Sequence, residues 1–203
     1  MLRLDHLALV AGRLDDGVAA VEQLLGVPMA GGGAHAAMGT HNRLLGLGDL
    51  YLEVIAVDPV APPPGRARWF DMDRFTGPPR LTNWVVATDD LDRALAAGPA
   101  GWGDPMALSR GDYRWRMAVP ADGRLPLGGA CPALIQWDGP LHPARALPDS
   151  GLRLTRLEIT HPDPDALRAA LAGLDDPRFV LRLGPAVALQ AVIDTPQGPR
   201  VLA

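Results

Sequence analysis

The chain of 203 residues contains no lysine, so every long cation is an arginine. That absence excludes a Schiff-base lysine and the lysine of a phosphate-binding loop. Serine occurs only at Ser109 and Ser150, and neither sits in a G-x-S-x-G elbow, so a serine hydrolase is not expected. Cys131 is the single cysteine. It excludes an internal disulfide and points to a reducing compartment, with the cytoplasm as the expectation. No run of about 18 apolar residues is present, so no transmembrane helix is expected. The start, MLRLDHLALV, reaches Asp5 too soon for a signal peptide. A net charge of −4 supplies no basic footprint, so nucleic acid is not an expected partner. With 48% hydrophobic residues, the chain can bury a sizeable core in one large domain or two small ones.

Two hydrophobic runs each carry one ionisable residue. In LDHLALV (4–10), period-two alternation puts Leu4, His6, Ala8 and Val10 on one face. In DLYLEVIA (49–56) it puts Tyr51, Glu53 and Ile55 on one face. A carboxylate inside such a run is costly unless paired or bound to a cation. Pairing the strands would bring an imidazole and a carboxylate into one concave site. Between them, Leu14, Val18, Val21, Leu24 and Leu25 follow helical spacing, Asp15 or Asp16 can cap the start, and Gly26 can stop the helix. The Gly-punctuated stretch that follows reads as strands, with His35 a loop histidine and His41-Asn42 a candidate cavity pair.

Residues 57–80 are Pro-rich at both ends and read as a linker with a lid-like segment, in which Trp69, Phe70, Met72 and Phe75 are candidate apolar contacts. The pattern then restarts. LTNWVVAT (81–88) is a strand, DDLDRALAA a capped helix, 106–109 and 113–119 strands around an Arg-Gly-Asp turn, and ALIQW (133–137) a further strand. His142 falls in a Pro loop. Strands at 152–160, 179–183, 187–193 and 200–202, with a helix over 162–174, form another set. The expected organisation is therefore a first β-α-β-β-β module over 1–56, the linker over 57–80, a second module over 81–138, and a third, partial module over 139–203. Aligning first strands places His6, Asn83 and Arg156 at equivalent positions.

On LDHLALV with His6, GTHNRLLGLGDLYLEVIAVDP with Glu53, and the restart LTNWVVATDDLDRAL, the chain resembles the glyoxalase-like domain proteins of the vicinal oxygen chelate superfamily. The resemblance implies an α+β fold whose repeated β-α-β-β-β modules form an open, curled mixed sheet around a cavity. It also implies a divalent metal ion (Zn, Fe, Mn, Ni or Mg) held by His6, Glu53 and Gln136, with Glu53 able to shuttle a proton. His41, Asn42, Tyr51, Asn83 and Arg116 are the candidate substrate contacts. The implied function is a metal-dependent lyase, isomerase or dioxygenase-type enzyme on a small oxygenated substrate. The alternative is a metal-free protein that binds and sequesters a small molecule in the same cavity. Either reading expects a monomer or homodimer with a small-molecule partner and no membrane.

Overall fold

The alternation of the first run forms β1 (Leu2–Val10), and α1 (Leu14–Leu25) follows at once. Its N-cap is Arg13 rather than an aspartate, with Asp15 and Asp16 in the first turn, where carboxylates complement the helix dipole. Gly26 ends the helix in the left-handed region (φ 73°), its N–H donating to the Glu22 carbonyl. Strands β2 (Ala34–His35), β3 (Thr40–Gly46) and β4 (Tyr51–Val57) complete the first unit. The second comprises β5 (Arg80–Thr88), α2 (Leu91–Ala97), β6 (Asp104–Arg110), β7 (Tyr113–Val119) and β8 (Ala133–Trp137). Asp90 caps α2 by accepting from the Arg93 N–H at 3.0 Å.

The computed structural model describes residues 1–203 and joins these units in one mixed sheet, ordered β2-β3-β4-β1-β5-β8-β7-β6. In each unit the last strand runs parallel to the first, β4 beside β1 and β8 beside β5. The two first strands meet antiparallel, with His6 opposite Val85 and Ala8 opposite Asn83. Exchanging the units exchanges these pairs, so His6 and Asn83 hold equivalent positions. The curled sheet closes around side chains from both units.

The C-terminal segment adds α3 (Pro143–Ala146), β9 (Arg153–His161), α4 (Pro164–Ala170), β10 (Phe179–Leu183), β11 (Ala188–Asp194) and β12 (Arg200–Leu202). Its sheet is separate, ordered β10-β9-β11-β12, and here the strand directly after the helix pairs parallel with the first strand. It covers the convex face of the large sheet. Trp84 of β5 stacks on Phe179 at 5.0 Å, and Arg178 makes a two-pronged ion pair with Asp49 at 2.8 and 2.9 Å. Leu7, Leu9, Trp84, Leu157, Ile159 and Ile193 belong to one buried cluster spanning both sheets. None of the helices is long and apolar enough to cross a membrane.

The linker dips into the mouth of the curled sheet. Trp69, Phe70 and Met72 are buried in a short 3-10 segment spanning Trp69–Arg74. Phe70 (φ 60°) and Asp71 (φ 53°) both adopt left-handed backbone, a conformation costly for side chains larger than glycine. The Asp71 N–H donates to the Gly123 carbonyl at 2.9 Å, which ties this turn to the second unit.

Candidate active site

Inside the curl, His6 and Glu53 face one another, with Nε2 3.7 Å from Oε2 and both residues buried. Each is held from behind. Asp5 and His6 are sequence neighbours, which strand alternation would send to opposite faces. A register shift between Leu4 and His6 on the β5 side makes Asp5 the extra residue of a bulge, and its carboxylate reaches His6 Nδ1 at 2.6 Å. The other Asp5 oxygen accepts from Trp137 Nε1 and His142 Nε2, each at 2.9 Å. Because His142 Nδ1 accepts from the Ala144 N–H, its proton sits on Nε2, toward Asp5. Burial opposes the Asp5 charge, yet the hydrogen bonds from His142 and His6 outweigh it and hold the carboxyl well below its ordinary value. With Nδ1 turned to the Asp5 carboxylate, Nε2 is the His6 nitrogen that faces Glu53.

Glu53 is fixed by Asn42, whose amide N–H donates to Oε1 at 2.5 Å. Asn42 is oriented in turn by the Gly33 N–H, which donates to its Oδ1 at 2.9 Å. The chain can wrap this closely only at glycine, since a Cβ on Gly32 would meet the Asn42 carbonyl oxygen at 2.0 Å. His35 closes the third side. Its Nε2 lies 3.9 Å from Glu53 Oε1 and its Nδ1 3.1 Å from the Thr40 hydroxyl. Burial pushes the His35 pKa down to about 4, so it is neutral at neutral pH. Tyr51 stacks on the His6 ring at 4.4 Å, and burial raises its phenol well above the ordinary value.

Trp69 and Trp115 stand edge-on to His35 at 5.0 and 6.1 Å, and both indole N–H groups are buried without a hydrogen-bond partner. Arg110 lines the same pocket. The space left among these groups is about 20 Å³, room for a single water-sized guest. The arrangement offers a proton acceptor, a carboxylate across from it and two unspent N–H donors.

The glyoxalase-like domain family model matches residues 4–174. The chain belongs to the glyoxalase-like domain family. A hypothetical protein from Staphylococcus aureus superposes with a TM-score of 0.72 at 14% identity, covering 98% of this chain and 92% of the other. A Streptomyces coelicolor methylmalonyl-CoA epimerase covers 66% of this chain and 93% of its own at TM-score 0.45 and 16% identity. A Mycobacterium tuberculosis methylmalonyl-CoA epimerase covers 71% and 91% at TM-score 0.43 and 18% identity. No curated protein matches the chain.

In this glyoxalase-like chain the sequence-derived residues fall into two groups. His6, Glu53, Asn42 and Tyr51 come together. His41, Gln136, Asn83 and Arg116 do not join them. Strand alternation turns His41 away from Asn42, its neighbour on β3. Gln136 faces α2, where its amide oxygen accepts from the Leu91 N–H at 2.9 Å. The ladder explains why. Glu53 lies opposite Ala8, and the equivalent place opposite Val85 is Ala133, which carries no donor. Ile135 and Trp137 line the pocket instead, so Gln136 necessarily points out. Arg116 makes a two-pronged ion pair with Asp92 at 2.8 and 2.9 Å, outside the pocket. Asn83 lines a separate cavity beyond Phe70. Asp5, His35, Trp115, Trp137 and His142 join the site without a motif to announce them.

The divalent ion implied by the resemblance does not fit this donor set. Three or more donors at about 2.0–2.2 Å are needed, and no group of three His, Cys, Asp or Glu side chains is placed to hold an ion. Glu53 Oε1 is already engaged by the Asn42 N–H, which also stands 3.5 Å from His35 Nε2. His6 Nε2 and Glu53 Oε2 remain as a facing pair.

Proposed function

We propose that the chain is an isomerase or lyase that moves a proton on a small carbonyl compound, with His6 and Glu53 as the acid–base pair. One observation supports this above the rest: the buried Asp5 carboxylate fixes His6 so that Nε2 faces Glu53 across 3.7 Å. In the proposed reaction one member of the pair removes a proton from the carbon beside the carbonyl. The C–H electron pair moves into a C=C bond and the carbonyl electrons move onto oxygen. Trp69 and Trp115, whose N–H groups have no other partner, donate to that oxygen. Asp5 and Glu53 flank His6 when it holds the proton, and the proton then returns to the substrate. A positioned acid–base pair of this kind contributes roughly 10²–10⁴-fold in rate. Admitting a substrate to a 20 Å³ space requires the Trp69–Phe70 turn to move outward.

The test is solvent-hydrogen exchange. A panel of hydroxyketones, ketoacids and 1,3-dicarbonyls is incubated in D₂O with wild type, His6→Gln and Glu53→Gln, and deuterium uptake is read by NMR. Catalysed exchange that falls at least about 100-fold in both variants supports the reading. Exchange that survives in both variants sinks it. A compound that binds without exchanging supports the sequestering alternative. Exchange abolished by a chelator, with about one equivalent of metal in the active protein, would return the pair to the role of metal ligands.

A further inference from the structure

Beyond Phe70 lies a second cavity of about 520 Å³ that shares only Phe70 with the His6 pocket. We propose that it binds a small dianion, a phosphate monoester or a dicarboxylate, held by Arg74, Arg80 and Arg124 and read by the Asn83 amide.

The charges are unbalanced in that direction. Arg74, Arg80 and Arg124 line the cavity, and Asp71 is the only acidic residue among its walls. Asp71 serves two of the three, forming a close ion pair with Arg74 and a 3.6 Å contact with Arg124 Nε. Arg80 spends only Nη1 on protein, donating to the Thr76 and Pro78 carbonyls at 2.8 and 3.4 Å, while its guanidinium lies 4.3 Å over the Phe75 ring. The Nη2 groups of all three arginines stay without a protein hydrogen bond. Guanidinium groups recognise phosphate and carboxylate through paired N–H bonds. A phosphate monoester carries about −1.5 to −2 at pH 7, which matches what three arginines less one aspartate leave over.

The second observation is independent of charge. Asn83 is 4% exposed, yet its Oδ1 makes no hydrogen bond, and the nearby Thr82 hydroxyl is also unpartnered. Buried polar groups are nearly always satisfied in folded proteins, and an exception calls for a partner such as an ordered water, an ion or a ligand. The orphaned Oδ1 is an acceptor and calls for a donor, so it is the Nδ2 end of the amide, which donates to no protein atom, that can hold an anion. Asn83 holds the place equivalent to His6, yet it lines this separate cavity and not the acid–base pocket.

Titration calorimetry at low ionic strength tests this with inorganic phosphate and with succinate. Saturable single-site binding is expected, weakened tenfold or more in both Asn83→Leu and Arg124→Gln. Arg168→Gln, which alters an exposed arginine paired with Asp165 on α4, should leave it unchanged. The tighter of the two probes identifies the anion class. Asn83→Leu removes an orphaned buried amide, so its melting temperature should stay at or above that of wild type. Arg124 is exposed, so its variant folds in any case. Absence of saturable binding by either probe overturns the proposal. So does binding that ignores Asn83→Leu, or that falls equally in Arg168→Gln. Since no turnover is measured, the result is separate from the fate of the acid–base reading.

Discussion

The Asp5 carboxylate sits 2.6 Å from His6 Nδ1, and the same group takes two further hydrogen bonds, from Trp137 and His142. Asp5→Ala therefore strands three donors at once, on the buried His6 and the half-buried Trp137 and His142. Losing one partner of a buried charged network costs about 3–5 kcal/mol, and urea denaturation should show a loss of that size. The pH dependence follows from the sign of the shift. Asp5 has a folded pKa below its ordinary 3.8, so its stabilisation is complete above that value and fades as the pH drops below it. Asp5→Asn should flatten the acid limb of the stability curve below pH 3.8. An unchanged limb would mean that the network is not what holds this carboxylate.

His35 also costs stability on acidification, but because the fold holds its neutral form rather than a charged one. It is neutral when folded, with a pKa near 4, against an ordinary 6.5. Above pH 6.5 both states are neutral and the fold is at full strength. Between 6.5 and 4 only the unfolded chain takes up the proton, so stability falls as the solution is acidified. At 1.36 kcal/mol per unit, the window amounts to roughly 3 kcal/mol. Denaturation at pH 7.5 and 4.5 should differ by about that much more in wild type than in His35→Gln.

Cys131 is buried, and that burial pushes its thiol up to about 12. Thiolate is the reactive form, so the native protein should resist a thiol reagent at pH 8. Modification should appear only with global unfolding, in step with the loss of circular dichroism. Rapid labelling of native protein would show that the region around Pro126 to Pro132 opens locally.

The period-two runs at 4–10 and 49–56, the stop at Gly26 and a capped helix in DDLDRALAA were legible because each depends on near neighbours in sequence. So was the recurrence of the β-α-β-β-β unit, though not which units pair, and the strands of His6 and Glu53 do lie side by side with the two side chains facing. Gln136 was not, because the residue of ALIQW that turns inward depends on register against β5. A difference of an odd number of residues flips the face. Asp5 was hidden by a bulge that alternation cannot anticipate. His35 sits in a two-residue strand behind three glycines, which read as loop. His142 reaches the site from a Pro loop far along the chain, and no local pattern carries that contact.

The buried tryptophans separate structural N–H groups from unspent ones. Trp84 and Trp102 donate to the Ala130 and Pro132 carbonyls at 2.9 and 2.7 Å. Trp69 and Trp115 donate to nothing. Tryptophan to phenylalanine at any of the four removes similar volume, so the packing cost is comparable. At Trp84 and Trp102 it also orphans a buried carbonyl, adding about 1–3 kcal/mol. The other two changes relieve an unsatisfied donor. Equilibrium unfolding should therefore rank Trp84→Phe and Trp102→Phe as more damaging than Trp69→Phe and Trp115→Phe by about 2 kcal/mol. If all four cost the same, the pocket indoles have partners in the resting protein. Their N–H groups would then not be free to hold the oxygen of a substrate.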